Sequence, residues 1–199
     1  MNLTIKPLTP ELASDYFDFF ENRAFTDDSP YRCYCQVYQM TKEQQKAASD
    51  EAKANGYGGG EISRKVAERQ IESGALKGYL AFVDDLAIGW CNANDKTNLP
   101  TESASGFRVE ATTGKKEKVV LCFEIAPEYR GKGIATALLN RVVADAIEEG
   151  YATVEGFPRL LSERDNWDFT GPVRLYEKAG FTSIKRQDGS IFMRRELNE

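Results

Sequence analysis

The chain has 199 residues, 41% of them hydrophobic, with 26 basic against 31 acidic side chains and a formal charge of −5. That is enough apolar material for one domain with a real core, and too acidic a balance for a general nucleic-acid binder, which needs a basic face. No histidine occurs anywhere, which removes Ser-His-Asp and Cys-His catalysis, HExxH metal sites and imidazole bases.

Four cysteines remain as soft ligands: Cys33, Cys35, Cys91 and Cys122. Cys122 lies inside an apolar run, so a four-thiolate cluster is not expected, and four reduced, mostly packed thiols are. The N-terminal stretch MNLTIKPLTPELASDYF has no continuous apolar region of the signal type. No apolar run approaches ~18 residues. A cytoplasmic protein with neither a membrane nor a nucleic-acid partner is therefore expected.

Residues 2–8 alternate enough for a first strand. Thr9-Pro10-Glu11 has the pattern of an N-cap, a proline at the first helical position and an acidic first turn. It predicts a helix to about Phe25 with Leu12, Tyr16, Phe19 and Phe20 on one face. DDSPYRCYCQVYQM, 27–40, is rich in aromatics and cysteine. Residues 41–54 predict a polar helix, GYGGG at 56–60 a break, and Glu61 to Ser73 a helix ended by Gly74. Residues 76–95 form two β-runs around Asp84-Asp85, a hairpin pattern. Residues 96–117 are polar and irregular, with a weak strand near Phe107–Glu110. KVVLCFEIA, 118–126, has the apolar texture of a strand buried on both faces. Residues 133–149 predict an amphipathic helix carrying Ile134, Leu138, Leu139, Val142, Ala146 and Ile147, closed by Gly150. YATVEGFP, 151–158, predicts a strand. A loop containing RDNWDF leads to a short helix near 171–179, ended by Gly180, and two closing strands, 181–186 and 190–195. The order predicts one α/β (α+β) domain over 1–199 with a mixed sheet and an enlarged helical section at 26–75.

The stretch EIAPEYRGKGIATALL, 124–139, puts two glycines at the mouth of a helix. The first helical turn has amides without intrahelical partners and a partial positive charge, both suited to a phosphate. Glycine removes the Cβ that would keep an anion away, and Arg130 and Lys132 add charge. A Walker A loop fails here at Ala126 and Gly133. A dinucleotide fingerprint fails at Thr136, with Glu155 the acidic residue some way on. The pattern [QR]xxGx[GA] is filled by Arg130, Gly133 and Ala135.

In this pattern the sequence resembles the GNAT superfamily of acyl-CoA N-acyltransferases. IAPEYRGKGIATALL, LYEKAGF at 175–181 and the hairpin ending in Ile-Gly-Trp carry the resemblance, which covers roughly 76–195. It implies a mostly antiparallel central sheet with one splayed parallel strand pair, 118–126 and 151–157, and flanking helices. It implies acetyl-CoA as donor, with no metal. The amides of Gly131, Lys132, Gly133, Ile134 and Ala135, continuing to Thr136, would hold the pyrophosphate beside Arg130, and the backbone of Phe123 and Ile125 would pair with the pantetheine arm. Tyr176, in LYEKAGF, would protonate the leaving thiolate; the plain alternative is a core aromatic. The chain departs from the pattern at Phe169, where many members carry asparagine, and at Pro172, where alanine is usual; Asn166 is out of register.

Acetyl transfer needs a neutral amine, and without histidine the base candidates are carboxylates. Glu124 interrupts an apolar strand, where burial would raise its pKa; its neighbours Phe123 and Ile125 point to the opposite face. Glu155, on the facing strand, is the second candidate. Each could equally be salt-bridged. For the acceptor, Asp27 and Asp28 could attract a cation, and Tyr31, Tyr34, Tyr38 and Trp90 could form an aromatic wall. Cys33, Cys35 and Cys91 could line it or simply pack. The expected activity is N-acetylation of a primary amine on a small molecule, peptide or protein by direct transfer in a ternary complex, with a homodimer as the candidate assembly. A non-catalytic acyl-CoA sensor and a nucleotide-dependent oxidoreductase are the alternatives.

Overall fold

The computed structural model describes residues 2–27, 32–160, 169–187 and 189–197. Strand β1 (Leu3–Pro7) leads through a 3-10 turn (Pro10–Leu12) into helix α1 (Ala13–Asn22). The α-helix starts later than Thr9-Pro10 predicts. Leu12 N–H donates to Thr9 C=O in the tighter turn, and the Thr9 hydroxyl bonds the Glu11 carboxylate instead of capping. The helix also ends before Phe25. Arg23, past its last turn, bonds Ala87 C=O at 2.6 Å and pairs with Asp18 at 2.6 Å, tying the chain to the sheet.

A second 3-10 turn (Gln36–Gln39) precedes a helical hairpin, α2 (Lys42–Asn55) and α3 (Gly59–Glu72). Thr41 and Gln44 satisfy each other's backbone in a capping box at the start of α2. The glycine break is shorter than expected: Gly56 closes α2 in the left-handed region (φ +71°), and α3 takes in Gly59 and Gly60. The hairpin is the enlarged section, and α3 turns Ile62, Val66, Ala67 and Ile71 inward.

Strands β2 (Gly78–Val83) and β3 (Leu86–Asp95) meet at Asp84 and Asp85, both left-handed at φ +48° and +64°. Aspartate tolerates that region, and the resulting turn matches the twist of the strands. Strand β4 (Glu117–Ile125), helix α4 (Ile134–Glu148), strand β5 (Thr153–Gly156), helix α5 (Val173–Lys178) and strands β6 (Thr182–Gln187) and β7 (Ser190–Glu196) follow. Residues 107–110 are not a strand. They make only an isolated antiparallel bridge, Arg108 with Glu102, within their own loop, while Phe107 lies edge-on to Phe157 at 4.8 Å.

Among the described residues seven strands form one sheet in the order β1-β2-β3-β4-β5-β7-β6. Every pairing is antiparallel except β4 with β5. One face carries α1 and α3 over Tyr16, Phe19, Phe20, Leu80, Trp90 and Leu121. The other carries α4 and α5 over Leu138, Leu139, Val142, Phe123 and Tyr176. Burial on both faces explains the near-continuous apolar run of β4. Among the described residues, no helix is long and apolar enough to cross a membrane.

Candidate active site

The site begins with a register change. Asn92 faces Cys122 but Ala93 faces Val120, so β4 holds one extra residue, Leu121. A bulge of this kind bends its strand. The parallel ladder to β5 stops at the same level, at Val120 opposite Gly156. Beyond it, β4 runs on to Ile125 while β5 has ended, two residues short of the expected strand, and a gap opens between them. The Phe123 N–H and Ile125 C=O face this gap. The first donates to Phe169 C=O at 2.6 Å and the second accepts from Arg130 Nε at 3.0 Å.

The glycine turn lies at the end of β4. Gly131 and Gly133 are left-handed at φ +76° and +83°, and a Cβ on either would meet nothing within 4 Å. Their left-handed backbone turns the chain so that α4 opens toward solvent. The first helical bond runs from Ala137 N–H to Gly133 C=O at 3.0 Å. The amides of Ile134, Ala135 and Thr136 thus form an open first turn. Lys132 is exposed beside them, its ammonium 5.1 Å from the Tyr129 ring centre.

Arg130 does not add its charge to that turn as the sequence suggests. Its guanidinium clamps two carboxylates, Asp27 Oδ2 at 2.5 Å and Glu124 Oε1 at 3.3 Å. Asp27 Oδ1 and Glu124 Oε2 are both buried and, among the described residues, accept no hydrogen bond. Glu124 is 3% exposed. Burial pushes its carboxyl up to about 8, although Arg130 pulls the other way.

Glu155 is fully buried and differently placed. Its Oε1 accepts from Lys96 at 2.9 Å and Arg194 at 2.8 Å, and Lys96 lies 3.5 Å from Glu117. This network ties the 96–116 loop and β7 to β5, a structural duty that residues so far apart in sequence do not announce.

Tyr176, on α5, is 1% exposed, and its hydroxyl donates to Thr170 C=O at 2.8 Å. Its ring lies against Gly156, where a Cβ would sit 2.1 Å from Cε1. Gly156→Ala is expected to cost about 2–3 kcal/mol through overpacking, read as a lower urea midpoint with an unchanged slope. An unchanged midpoint would mean that the ring is seated elsewhere.

The expected acceptor wall is redistributed. Trp90 is fully buried, edge-on to Tyr16 at 5.0 Å, and belongs to the core. Cys91 points to the α4 face, away from Cys33 and Cys35. Cys122 takes its place beside Cys35. Tyr34 packs on Phe17 and donates to Glu21 at 3.2 Å, at the rim of α1. Asp28 and Tyr31 lie outside the described residues.

Cys35 is buried with φ +53°. It is held by Asn92, whose Nδ2 donates to the Cys35 C=O at 3.1 Å and sulfur at 3.3 Å, and Asn92 in turn accepts from Gln39 at 3.0 Å. Burial raises the Cys35 thiol, but hydrogen bonds led by the one with Cys122 outweigh it and leave the thiol lowered. Cys122 is raised by the same contact, and Cys33 is pushed up to about 12, chiefly by burial. The sequence signal for this network was Asn92, an amide inside a buried strand. Among the described residues no group of cysteines and carboxylates is placed to hold a metal ion.

The mixed sheet, with its one parallel pair, its strand splay and the open helix mouth beside it, is the α/β arrangement that the resemblance implied. The family model described as Acetyltransferase (GNAT) domain matches residues 77–183, and the chain belongs to that family. Solved structures share the fold at low identity. PaiA N-acetyltransferase from Thermoplasma acidophilum, solved with coenzyme A, is 16% identical over 98% of this chain and 99% of its own, with a TM-score of 0.55. The GNAT domain of S. lividans PAT is 18% identical over 97% and 89%, with a TM-score of 0.54. The ribosomal-protein-S18-alanine N-acetyltransferase from Escherichia coli is 13% identical over 100% and 96%, with a TM-score of 0.51. No curated protein sequence matches the chain.

Proposed function

We propose that this chain, as a single domain over 1–199, is an N-acetyltransferase. It moves an acetyl group from acetyl-CoA to a primary amine of a small molecule, peptide or protein, directly and within a ternary complex. The Arg130 clamp carries this reading. Two carboxylates share one guanidinium, so the ionised clamp has one net negative charge and two bare buried oxygens. A primary ammonium supplies the missing positive charge and the missing donors. Glu124, its carboxyl raised to about 8 by burial, is matched to taking its proton.

The donor side fits the open first turn of α4 and the β4–β5 gap. The amides of Gly131 and Gly133 through Thr136, with Lys132, would hold the pyrophosphate. The Phe123 and Ile125 backbones would line the arm, and Tyr176 would give its proton to the leaving sulfur. Acetyl-CoA supplies the activated acyl group; these residues orient it and move protons.

Release of free thiol from acetyl-CoA across a panel of amines tests the activity. Turnover on a subset of primary amines is expected. Coenzyme A binding without turnover on any amine would favour a sensor, and a melting shift with NAD but not coenzyme A would overturn both readings. Gly133→Val is expected to weaken coenzyme A binding about tenfold or more. A β-branched residue is strained at φ +83° and would re-aim the first-turn amides. Wild-type affinity by calorimetry would place the cradle elsewhere.

A further inference from the structure

The gap between β4 and β5 is crossed by the protein's own chain. The Phe169 ring packs with the α1-side cluster. Two residues on, Gly171 lies on the opposite side, where a Cβ would sit 2.9 Å from Leu175 and 3.5 Å from the Phe123 ring. The backbone between them passes through the opening.

Its two successive carbonyls hold two donors at the gap. Phe123 N–H donates to Phe169 C=O at 2.6 Å, and the Tyr176 hydroxyl donates to Thr170 C=O at 2.8 Å. Those are the backbone group assigned above to the coenzyme arm and the phenol assigned to the leaving sulfur. The segment is fastened at both ends. Thr170 Oγ1 accepts from Arg159 N–H at 3.2 Å, and Gly171, at φ +77°, turns the chain into α5.

We propose that residues 169–171 are an intramolecular stand-in for the arm of acetyl-CoA, a strap that the donor must displace before the site is competent. The proposal rests on the transferase reading above. A peptide carbonyl presents the Phe123 N–H with the same acceptor as an amide or thioester carbonyl of the incoming arm. The two cannot share one N–H at full strength. The apparent donor affinity is then the intrinsic affinity reduced by the fraction of molecules with the strap displaced.

The test compares coenzyme A with 3′-phospho-ADP, which carries the pyrophosphate and no pantetheine. Phe169→Ala removes the ring that anchors one side. Gly171→Ala independently strains the other, by its positive φ and its contact with Leu175. Each is expected to tighten coenzyme A binding about fivefold or more and to leave 3′-phospho-ADP unchanged. If both ligands bind and neither variant changes the affinity for coenzyme A, the strap is overturned while the cradle stands. If neither ligand binds wild type or variants, the donor-site reading falls, and the strap with it.

Discussion

Glu124→Gln is expected to lower kcat/KM for the amine about 100- to 1,000-fold. The change is nearly isosteric. A glutamine oxygen can still accept from Arg130, so the clamp to Asp27 keeps its shape. What is lost is a group able to take a proton. In the wild type, kcat/KM should rise with pH through about 8 as Glu124 ionises, and the variant should lack that limb. Equal activity and an identical pH profile would remove Glu124 from the chemistry.

The same substitution makes a stability prediction of opposite sign. The folded carboxyl is raised from its ordinary 4.5 to about 8, so between those values the native state binds more protons than the unfolded chain. Its contribution is fully present at low pH and is lost as pH rises through the folded value. Glutamine carries no such loss. Above about pH 8 the variant should therefore gain on the order of 2 kcal/mol relative to its standing in mild acid. Melting temperatures followed across pH check this. Parallel curves for the two proteins would mean that Glu124 is ionised and satisfied throughout.

Tyr176→Phe is expected to reduce kcat about 100-fold while the coenzyme A dissociation constant stays within about threefold. The ring keeps its seat against Gly156, Phe123 and Phe181. The hydroxyl that goes is the proton donor proposed for the leaving sulfur. It is also the group that holds Thr170 C=O, so any change in coenzyme affinity should be toward tighter binding. Pre-steady-state acetyl transfer separates the chemical step from release. An unchanged transfer rate would leave Tyr176 as a packing residue.

The parts of the site that were readable are those set by neighbours in the chain. Gly131 and Gly133 take the left-handed region because the turn from β4 into α4 demands it locally. The Asp84-Asp85 hairpin and the Gly150 and Gly180 stops are of the same kind. Thr9 does stand at the N-cap position with Pro10 and Glu11 in the first turn, but that turn is 3-10, and the Glu11 carboxylate takes the hydroxyl that would have capped it.

The fate of side chains was less readable. Alternation along a strand says that Glu124 and Phe123 point opposite ways, and they do. It does not say which way each strand faces or where a bulge resets the count. Cys91 was grouped with Cys33 and Cys35, but β3 sends it to the α4 face, and Cys122 joins Cys35 just beyond the Leu121 bulge. Arg130 looked like a phosphate ligand from its neighbours Gly131 and Gly133. Its actual partner Asp27 is 103 positions away. Glu155 and Glu124 look alike as bases in the sequence, and each keeps one buried oxygen without a partner among the described residues; what separates them is that Lys96 and Arg194 hold the other oxygen of Glu155.

The family came from the likeness of the motifs. Backbone chemistry and periodicity were enough to define a mixed α/β chain with a glycine-opened helix mouth, and an inventory without histidine left carboxylates as the base candidates. These follow from local torsion, hydrogen-bonding capacity and residue inventory, which the order of residues contains outright. Folding decided which cations each buried carboxylate meets, which thiols meet, and that the chain's own carbonyls lie in the β4–β5 gap. Those outcomes depend on burial and on charges brought together from distant positions. In a buried site, a single partner at hydrogen-bond distance changes what a side chain can do.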